Sequence, residues 1–246
     1  MSKFSSVTIM LGAVTETDSL RKTVETVISL CNSSDIAEII ISYPDRITPE
    51  CKAVVDELAN ADYPVRMNVF PQIKPFMAGI SGMMDAATGS HCILLASDMA
   101  FDLDFVPKMI ELVKKEPDTI FSSSRWLPGC EMHDYGKLRK VLNFCAQKFL
   151  MVLYGVKLTD FTNPCQIAPT ELYQSIEWEE IGFPFLLEMV LKPVRLGYKF
   201  VEVPTNCYPR TEGKSSNNFF QTASYLKTAL HIRFMRKESI LKKDAK

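Results

Sequence analysis

The chain has no Cys-x-x-Cys pair, no Gly-x-Gly-x-x-Gly fingerprint, no complete phosphate-loop signature and no apolar run long enough to span a bilayer. Each lack removes a class of function. Seven cysteines (Cys31, Cys51, Cys92, Cys130, Cys145, Cys165, Cys207) are odd in number and widely spaced, which argues against a zinc site or a disulfide framework and predicts mostly buried free thiols in a reducing cytosol. Leu11-Gly12-Ala13 follows an apolar run, but the glycines of a dinucleotide loop do not follow it. Glu212-Gly213-Lys214-Ser215 ends like a Walker A loop, yet Tyr208 stands where that loop needs its first glycine. The three histidines, His91, His133 and His231, show no ligand spacing. A net charge of −1 gives no global field for nucleic acid. The apolar stretch from Phe149 to Val156 is too short for a membrane span. Met1-Ser2-Lys3-Phe4 runs straight into a strand pattern, so no signal peptide is expected and the protein is expected to be cytoplasmic, soluble or peripheral to a membrane.

What is present is alternation. Apolar runs at 6–11, 37–43, 65–70, 91–96 and 119–123 read as strands, and helical patterns at 18–30, 49–58, 76–88 and 103–115 separate them. Thr17 or Asp18 starts the first helix, and Thr48 with Pro49 starts the second. Near-continuous apolar strands divided by helices predict an α/β fold, with a mostly parallel central sheet flanked by helices on both faces.

The second half is more helical. Residues 135–154 form a helical pattern whose apolar face carries Leu138, Val141, Leu142, Cys145, Phe149 and Val152 and is expected to pack on the domain, the alternative being that the helix from Lys137 to Tyr154 lies on a bilayer. A helix at 183–196, a strand at 199–203 before Pro204 and an amphipathic helix at 217–236 complete the chain. The last 30 residues carry Lys227, Arg233, Arg236, Lys237, Lys242, Lys243 and Lys246 against Glu238 and Asp244. That basic segment reads as a solvated helix end or as a contact to anionic lipid, with Phe219, Phe220, Tyr225, Leu226 and Leu230 available to it. The expected organisation is one single domain, residues 1–216, followed by a basic amphipathic segment, residues 217–246.

The most informative local feature is the turn after the fourth strand, Leu94-Leu95-Ala96-Ser97-Asp98. In open α/β sheets the carboxyl ends of the strands are where ligands bind. An acid there can hold a divalent cation that in turn holds a diphosphate. The alternative is a helix cap, with Asp98 or Asp102 capping the helix from Leu103. Glu188 sits among Phe185, Leu186, Leu187 and Met189, where an unpartnered acid is costly, so it reads as an active-site group. Arg210 with Lys214 has the composition of a phosphate site. Gly89 reads as a helix stop, and Glu202 as a structural acid beside Pro204.

Taken in order, these segments resemble a family 2 glycosyltransferase of the GT-A (Rossmann-like) fold, of the polyprenyl-phosphate sugar synthase type that includes dolichol-phosphate mannose synthases. The resemblance runs from about Ser6 to Ser216. The family's opening Pro-x-Tyr-Asn-Glu falls on Gly12-Ala13-Val14-Thr15-Glu16, where Glu16 alone is kept. Its nucleobase-side acids fall near Ser42, and its small-residue helix matches Gly82, Ala86 and Gly89. Its Asp-x-Asp falls on Ala96-Ser97-Asp98, keeping only the second acid. Ser124-Arg125-Trp126 resembles Ser-Arg-Tyr, and Asp160-Phe161-Thr162-Asn163-Pro164-Cys165-Gln166 resembles Asp-x-Thr-Asn-x-Phe-Lys. Gly182 to Glu188 resembles Gly-Tyr-x-Phe-x-x-Glu, and residues 196–204 resemble the family's Gly-Tyr-x-Ile-x-Glu-Val-Pro strand. Arg210 to Ser215 resembles the Arg-x-x-Gly-x-Ser loop.

The resemblance implies transfer of a sugar, with inversion, from a nucleotide-diphosphate sugar donor to a polyprenyl phosphate or glycan acceptor, assisted by Mg²⁺ or Mn²⁺. It implies Asp98 as metal ligand and catalytic residue, with Glu188 or Asp160 as the base should the acceptor be a hydroxyl. Gly12, Glu16, Ser42, Gly82, Arg125, Thr162, Asn163, Arg210, Lys214 and Ser215 are its implied substrate contacts. Arg125 reads otherwise as a surface partner of Glu131 or Asp134. Because Ala96, Ser42 and Gln166 depart from the pattern, the competing expectation is a catalytically impaired relative that binds a nucleotide sugar or a partner protein.

Overall fold

Alternate residues of the central strands face two different cores, which places the sheet in the middle of the molecule. The computed structural model describes residues 3–133, 135–212 and 222–243. Its strands are β1 (Val7–Gly12), β2 (Ile36–Tyr43), β3 (Arg66–Pro71), β4 (His91–Leu95), β5 (Ile120–Ser124), β6 (Gln166–Pro169) and β7 (Phe200–Pro204). Its helices are α1 (Asp18–Leu30), α2 (Pro49–Asn60), α3 (Gly79–Ala86), α4 (Phe105–Lys115), α5 (Lys137–Tyr154), α6 (Thr170–Ser175), α7 (Pro184–Leu196) and α8 (Thr222–Phe234).

The strands form one sheet in the order β3-β2-β1-β4-β6-β5-β7. All neighbours are parallel except β6, which runs antiparallel to both β4 and β5. Ile9, Leu11, Ile39, Ile41, Ile93 and Leu95 pack with Val24 of α1, Val55 of α2 and Val106 of α4. From the opposite face, Met10, Ile40, Cys92 and Leu94 pack with Met83 of α3, Tyr173 of α6 and Phe185 of α7. Each fully buried aliphatic side chain contributes about 1.5–3 kcal/mol over its exposed state, so burial on both faces of the sheet stabilises the fold.

Thr48 caps α2 as its sequence indicates, accepting the Cys51 N–H at 3.3 Å, with Pro49 at the first turn. Other elements differ from expectation. β6 has no apolar alternation to announce it, since Gln166 opens it and Pro169 ends it within four residues. The small-residue helix begins at Gly79, after a 3₁₀ turn at Phe76–Ala78. Gly89 is not its stop, because α3 ends at Ala86. A Cβ on Gly89 would stand 2.7 Å from the Thr8 nitrogen and 2.9 Å from the His91 oxygen, so close backbone approach to β1 requires glycine there. The α5 apolar face also departs from expectation: of its 18 side chains only Gln147 and Leu150 are buried, and the predicted stripe faces outward. Among the described residues no helix is long and apolar enough to cross a membrane.

Candidate active site

β4 ends at Leu95 and the chain turns sharply over the carboxyl end of the sheet. Ser97 Oγ donates to the carbonyl of Gly12, which ties the end of β4 to the end of β1. Gly12 in turn lies in register with Ser42 on β2. Met99 has φ +53°, a left-handed conformation that residues other than glycine rarely adopt, so the turn is locally strained. Asp98 is held inside this turn. Its Oδ1 accepts the Ala100 N–H at 3.1 Å, and its Oδ2 pairs with Arg210 Nε at 3.0 Å. The capping expectation is corrected: α4 begins at Phe105, the cap position is Asp104 with no side-chain hydrogen bond, and Asp102 instead accepts from Asn206 Nδ2 and the Tyr208 hydroxyl.

Arg210 belongs to a strap that leaves β7 and crosses the strand ends. Along it, Thr205 N–H bonds the Ser124 carbonyl, Tyr208 N–H the Ala100 carbonyl and Thr211 N–H the Asp98 carbonyl, at 3.1, 2.9 and 3.4 Å. Glu212 then docks on the first turn of α1. Its carboxylate accepts from the Thr17 N–H at 2.6 Å and hydroxyl at 2.8 Å, and from the Ser19 hydroxyl at 2.7 Å. Burial opposes its charge, but these donors outweigh burial and hold the carboxyl at about 2. Thr17 occupies the N-cap position of α1 without a side-chain cap bond, and Glu212 does that work from the far end of the chain. Lys214 and Ser215, with Phe219 and Phe220, lie outside the described residues.

Glu16, Ser42 and Gly82 are further residues that the resemblance assigns to the donor. Glu16 accepts the N–H groups of Val14 and Thr15 at 2.8 and 2.9 Å, shaping the loop after β1. Ser42 is fully buried and its hydroxyl has no partner. Gly82 lies on buried α3, where a Cβ would meet Ile73 at 3.9 Å, an ordinary contact, so packing does not demand glycine.

A second polar centre lies at the ends of β5 and β6. Arg125 and Asp160 form a bidentate pair, Nε to Oδ2 at 2.7 Å and one terminal guanidinium nitrogen to Oδ1 at 2.8 Å. That replaces the expected surface pairing of Arg125 with Glu131 or Asp134; Asp134 lies outside the described residues. Burial works against the Arg125 charge, and the Asp160 carboxylate outweighs it, raising the guanidinium above its ordinary value. Thr162 Oγ1 accepts from Arg125 at 3.2 Å and from Gln147 of α5 at 3.1 Å. Glu202 accepts the N–H groups of Thr159 and Asp160, and burial leaves its carboxyl raised. Asn163 Oδ1 accepts the Cys165 N–H, while Asn163 Nδ2, both polar atoms of Gln166 and Trp126 Nε1 are buried without partners. A cavity of about 40 Å³ lined by Trp126, Phe144, Gln147 and Thr159 separates α5 from the end of β5.

Glu188 stands apart from both centres in its bonding. It pairs with Lys192 one turn along α7 at 2.6 Å and accepts the N–H groups of Glu179 and Glu180 at 2.9 and 3.0 Å. Both its oxygens are therefore occupied, and Lys192 also donates to the Glu177 carbonyl. The partner that makes its burial tolerable was visible at i+4 in the sequence. A shallow groove of about 570 Å³ between α4 and β7, lined by Pro107, Leu112, Val203 and Pro204, shares only Glu202 with these centres.

Among the described residues no three His, Cys, Asp or Glu side chains gather as a metal site. Asp98 is the single carboxylate of the Ala96-Ser97-Asp98 segment, Asp102 being bonded to Asn206 and Tyr208. A cation that arrives chelated by a diphosphate needs only one or two protein carboxylates, the rest of its shell being phosphate and water. Asp98 fits that requirement once Arg210 gives up Oδ2.

A mostly parallel sheet with one antiparallel strand and polar groups over its carboxyl ends defines a GT-A type domain. Consistent with this, the fold resembles glucosyl-3-phosphoglycerate synthase from Mycobacterium tuberculosis solved with Mn²⁺, UDP-glucose and phosphoglyceric acid, at a TM-score of 0.72 and 14% identity, covering 94% of this chain and 81% of that one. The same enzyme solved with Mg²⁺ and UDP matches at a TM-score of 0.68 and 14% identity, covering 94% and 80%. Residues 8–176 match the model of glycosyl transferase family 2, and the chain belongs to that family. It is 27% identical over 113 residues to an undecaprenyl-phosphate mannosyltransferase of Micrococcus luteus, 45% of this chain and 46% of that protein. It is 26% identical over 161 residues to a dolichol-phosphate mannosyltransferase of Pyrococcus furiosus, 63% and 44% of the two chains. The chain thus spans less than half the length of these curated relatives.

Proposed function

We propose that this chain transfers a sugar from a nucleotide-diphosphate donor to a polyprenyl phosphate, with inversion. The observation that carries the reading is the Asp98–Arg210 pair at the strand ends of a family 2 domain. The acceptor oxygen bonds the anomeric carbon as the bond from that carbon to the diphosphate breaks, and the electron pair leaves with the nucleoside diphosphate. The charge developing on the leaving group sets the barrier. Arg210 supplies a guanidinium to it, and Asp98 would hold Mg²⁺ or Mn²⁺ there. When bound, the cation neutralises diphosphate charge. Gly12, Glu16, Ser42 and Gly82 contribute the donor-side wall; Lys214 and Ser215, which follow Arg210 in the sequence, are proposed to meet the same phosphates.

A lipid phosphate is already ionised near neutral pH and needs no base. A glycan hydroxyl does need one, and both candidates are committed, Asp160 to Arg125 and Glu188 to Lys192. That commitment supports the phosphate acceptor. Asp160 is then a positioning residue that fixes Arg125 for the acceptor phosphate, with Thr162 and Asn163 shaping the same segment. Glu188 anchors the 177–180 loop on α7. A second reading, a relative that binds a nucleotide sugar or partner protein without transfer, is favoured by Ala96, whose side chain offers no oxygen to a cation.

The test is transfer of labelled sugar from UDP- and GDP-sugars to a short-chain polyprenyl phosphate, with Mg²⁺ or Mn²⁺ supplied. A lipid-linked product formed by the wild type and lost in Arg125→Ala supports the reading. Donor binding without product, for every donor and acceptor offered, supports the second.

A further inference from the structure

Two anchors bracket Arg210 on the strap. Toward β4 and β5 the chain is tied as far as Tyr208. There the Cys207 N–H bonds the Glu131 carbonyl and the Tyr208 N–H the Ala100 carbonyl, both at 2.9 Å, and the Tyr208 hydroxyl reaches Asp102 at 3.2 Å. Toward β1 the anchor is Glu212. Its two oxygens accept the N–H groups of Thr17, Asp18 and Ser19 at 2.6, 3.2 and 3.3 Å, and the hydroxyls of Thr17 and Ser19 at 2.8 and 2.7 Å. One carboxylate thus satisfies the first turn of a helix that has no side-chain cap bond from its own N-cap residue. Burial opposes the charge, yet these donors hold the carboxyl at about 2, so the anchor is charged throughout the neutral range.

Pro209, Arg210 and Thr211 lie between the anchors. The bonds of the last two go to Asp98: Arg210 Nε to Oδ2 at 3.0 Å, and the Thr211 N–H and hydroxyl to the carbonyl at 3.4 and 3.3 Å. A diphosphate that draws Arg210 away from Asp98 contests that set. The Glu212 bonds involve neither Asp98 nor Arg210, so they persist when the pair separates. With both ends held, a three-residue span that includes a proline of fixed φ keeps the guanidinium over the strand ends. The Arg-x-x-Gly-x-Ser pattern sets no residue at position 212, so this anchor comes from the chain's own sequence.

We propose that Glu212 is a positioning residue for donor binding: by fastening the strap to the first turn of α1 it holds Arg210 in place for the diphosphate once Arg210 has left Asp98. The role rests on the transferase reading. It predicts that Glu212 acts on the donor through Arg210 and through nothing else.

The test is a double-mutant cycle read by calorimetric titration of UDP and of GDP into the full chain. The proteins are the wild type, Glu212→Ala, Arg210→Ala and the double variant, each checked for folding by circular dichroism. Glu212→Ala is expected to bind about tenfold more weakly than the wild type, and the double variant to bind within about twofold of Arg210→Ala. Glu212→Gln, which keeps one acceptor oxygen for the Thr17 and Ser19 donors, is expected to fall between Glu212→Ala and the wild type. A second readout needs no nucleotide: tryptic cleavage after Arg210, followed by mass spectrometry, should be about fivefold faster in Glu212→Ala. Wild-type affinity in Glu212→Ala, losses that multiply in the double variant, or unchanged cleavage after Arg210 overturns the proposal while leaving the donor reading intact. A folded wild type that binds neither nucleotide overturns the donor reading and this role with it.

Discussion

Arg210 Nε lies 3.0 Å from Asp98 Oδ2 in an ion pair that joins the strap after β7 to the turn after β4. Asp98 is nearly enclosed, its side chain 10% accessible, whereas Arg210 is 44% accessible. The arginine is thus the more accessible half of the pair. On the proposed reading, a diphosphate entering over the strand ends would compete for the guanidinium, and a cation accompanying it for the carboxylate. The pair would then be the charge-balanced resting arrangement of that proposed site.

Removing Arg210 leaves the diphosphate with one charge-assisted donor fewer, worth about 1.5–3 kcal/mol. Arg210→Ala should therefore bind UDP or GDP about tenfold to a hundredfold more weakly, measured by calorimetry. An unchanged affinity would place the diphosphate elsewhere.

The strap is fastened by Glu212, and that fastening is acid-sensitive. A carboxyl lowered to about 2 from its ordinary 4.5 contributes stability that is fully present above the ordinary value and is lost as pH falls toward 2. Glu212→Ala removes the cap of α1, with an expected cost of about 1 kcal/mol at neutral pH. Thermal melts should show wild type and variant converging as pH drops below about 4. A gap that stays constant with pH would contradict the assignment.

Asp160→Asn strips the charge partner from an Arg125 that is itself mostly buried. Breaking a buried ion pair from one side costs about 3–5 kcal/mol, more than replacing both members with apolar groups. Urea denaturation should find Asp160→Asn less stable than the Arg125→Met/Asp160→Leu double variant.

The thiols divide by environment. Burial pushes Cys51, Cys92 and Cys165 up to about 12, so at pH 8 they remain protonated, whereas Cys145 is exposed on α5. Brief iodoacetamide treatment followed by mass spectrometry should label Cys145 and leave the three buried cysteines unmodified.

The strands that carry the site were legible because buried parallel strands are continuous apolar runs, and β1, β2 and β4 are of that kind. β6 was not, since four residues beginning with Gln166 and ending in Pro169 carry no period. The α5 stripe was legible as a stripe, but nothing in its own residues says whether an apolar face turns inward. Glu188 with Lys192 is local and could be read at i+4. Arg125 with Asp160, Arg210 with Asp98 and Glu212 with α1 join residues far apart in the chain, and such partners are set by the sheet order. The resemblance supplied Arg125, Asp160, Arg210 and Asp98 as site members without supplying their pairing, and it did not supply Glu212.

The most direct test of the account is calorimetric titration of UDP, GDP and their sugars into the wild type and Asp98→Ala, with and without Mn²⁺. The account predicts binding that Mn²⁺ strengthens in the wild type and that loses this strengthening in Asp98→Ala. A folded wild type that binds no nucleotide, or a variant that keeps the full effect of Mn²⁺, would contradict it.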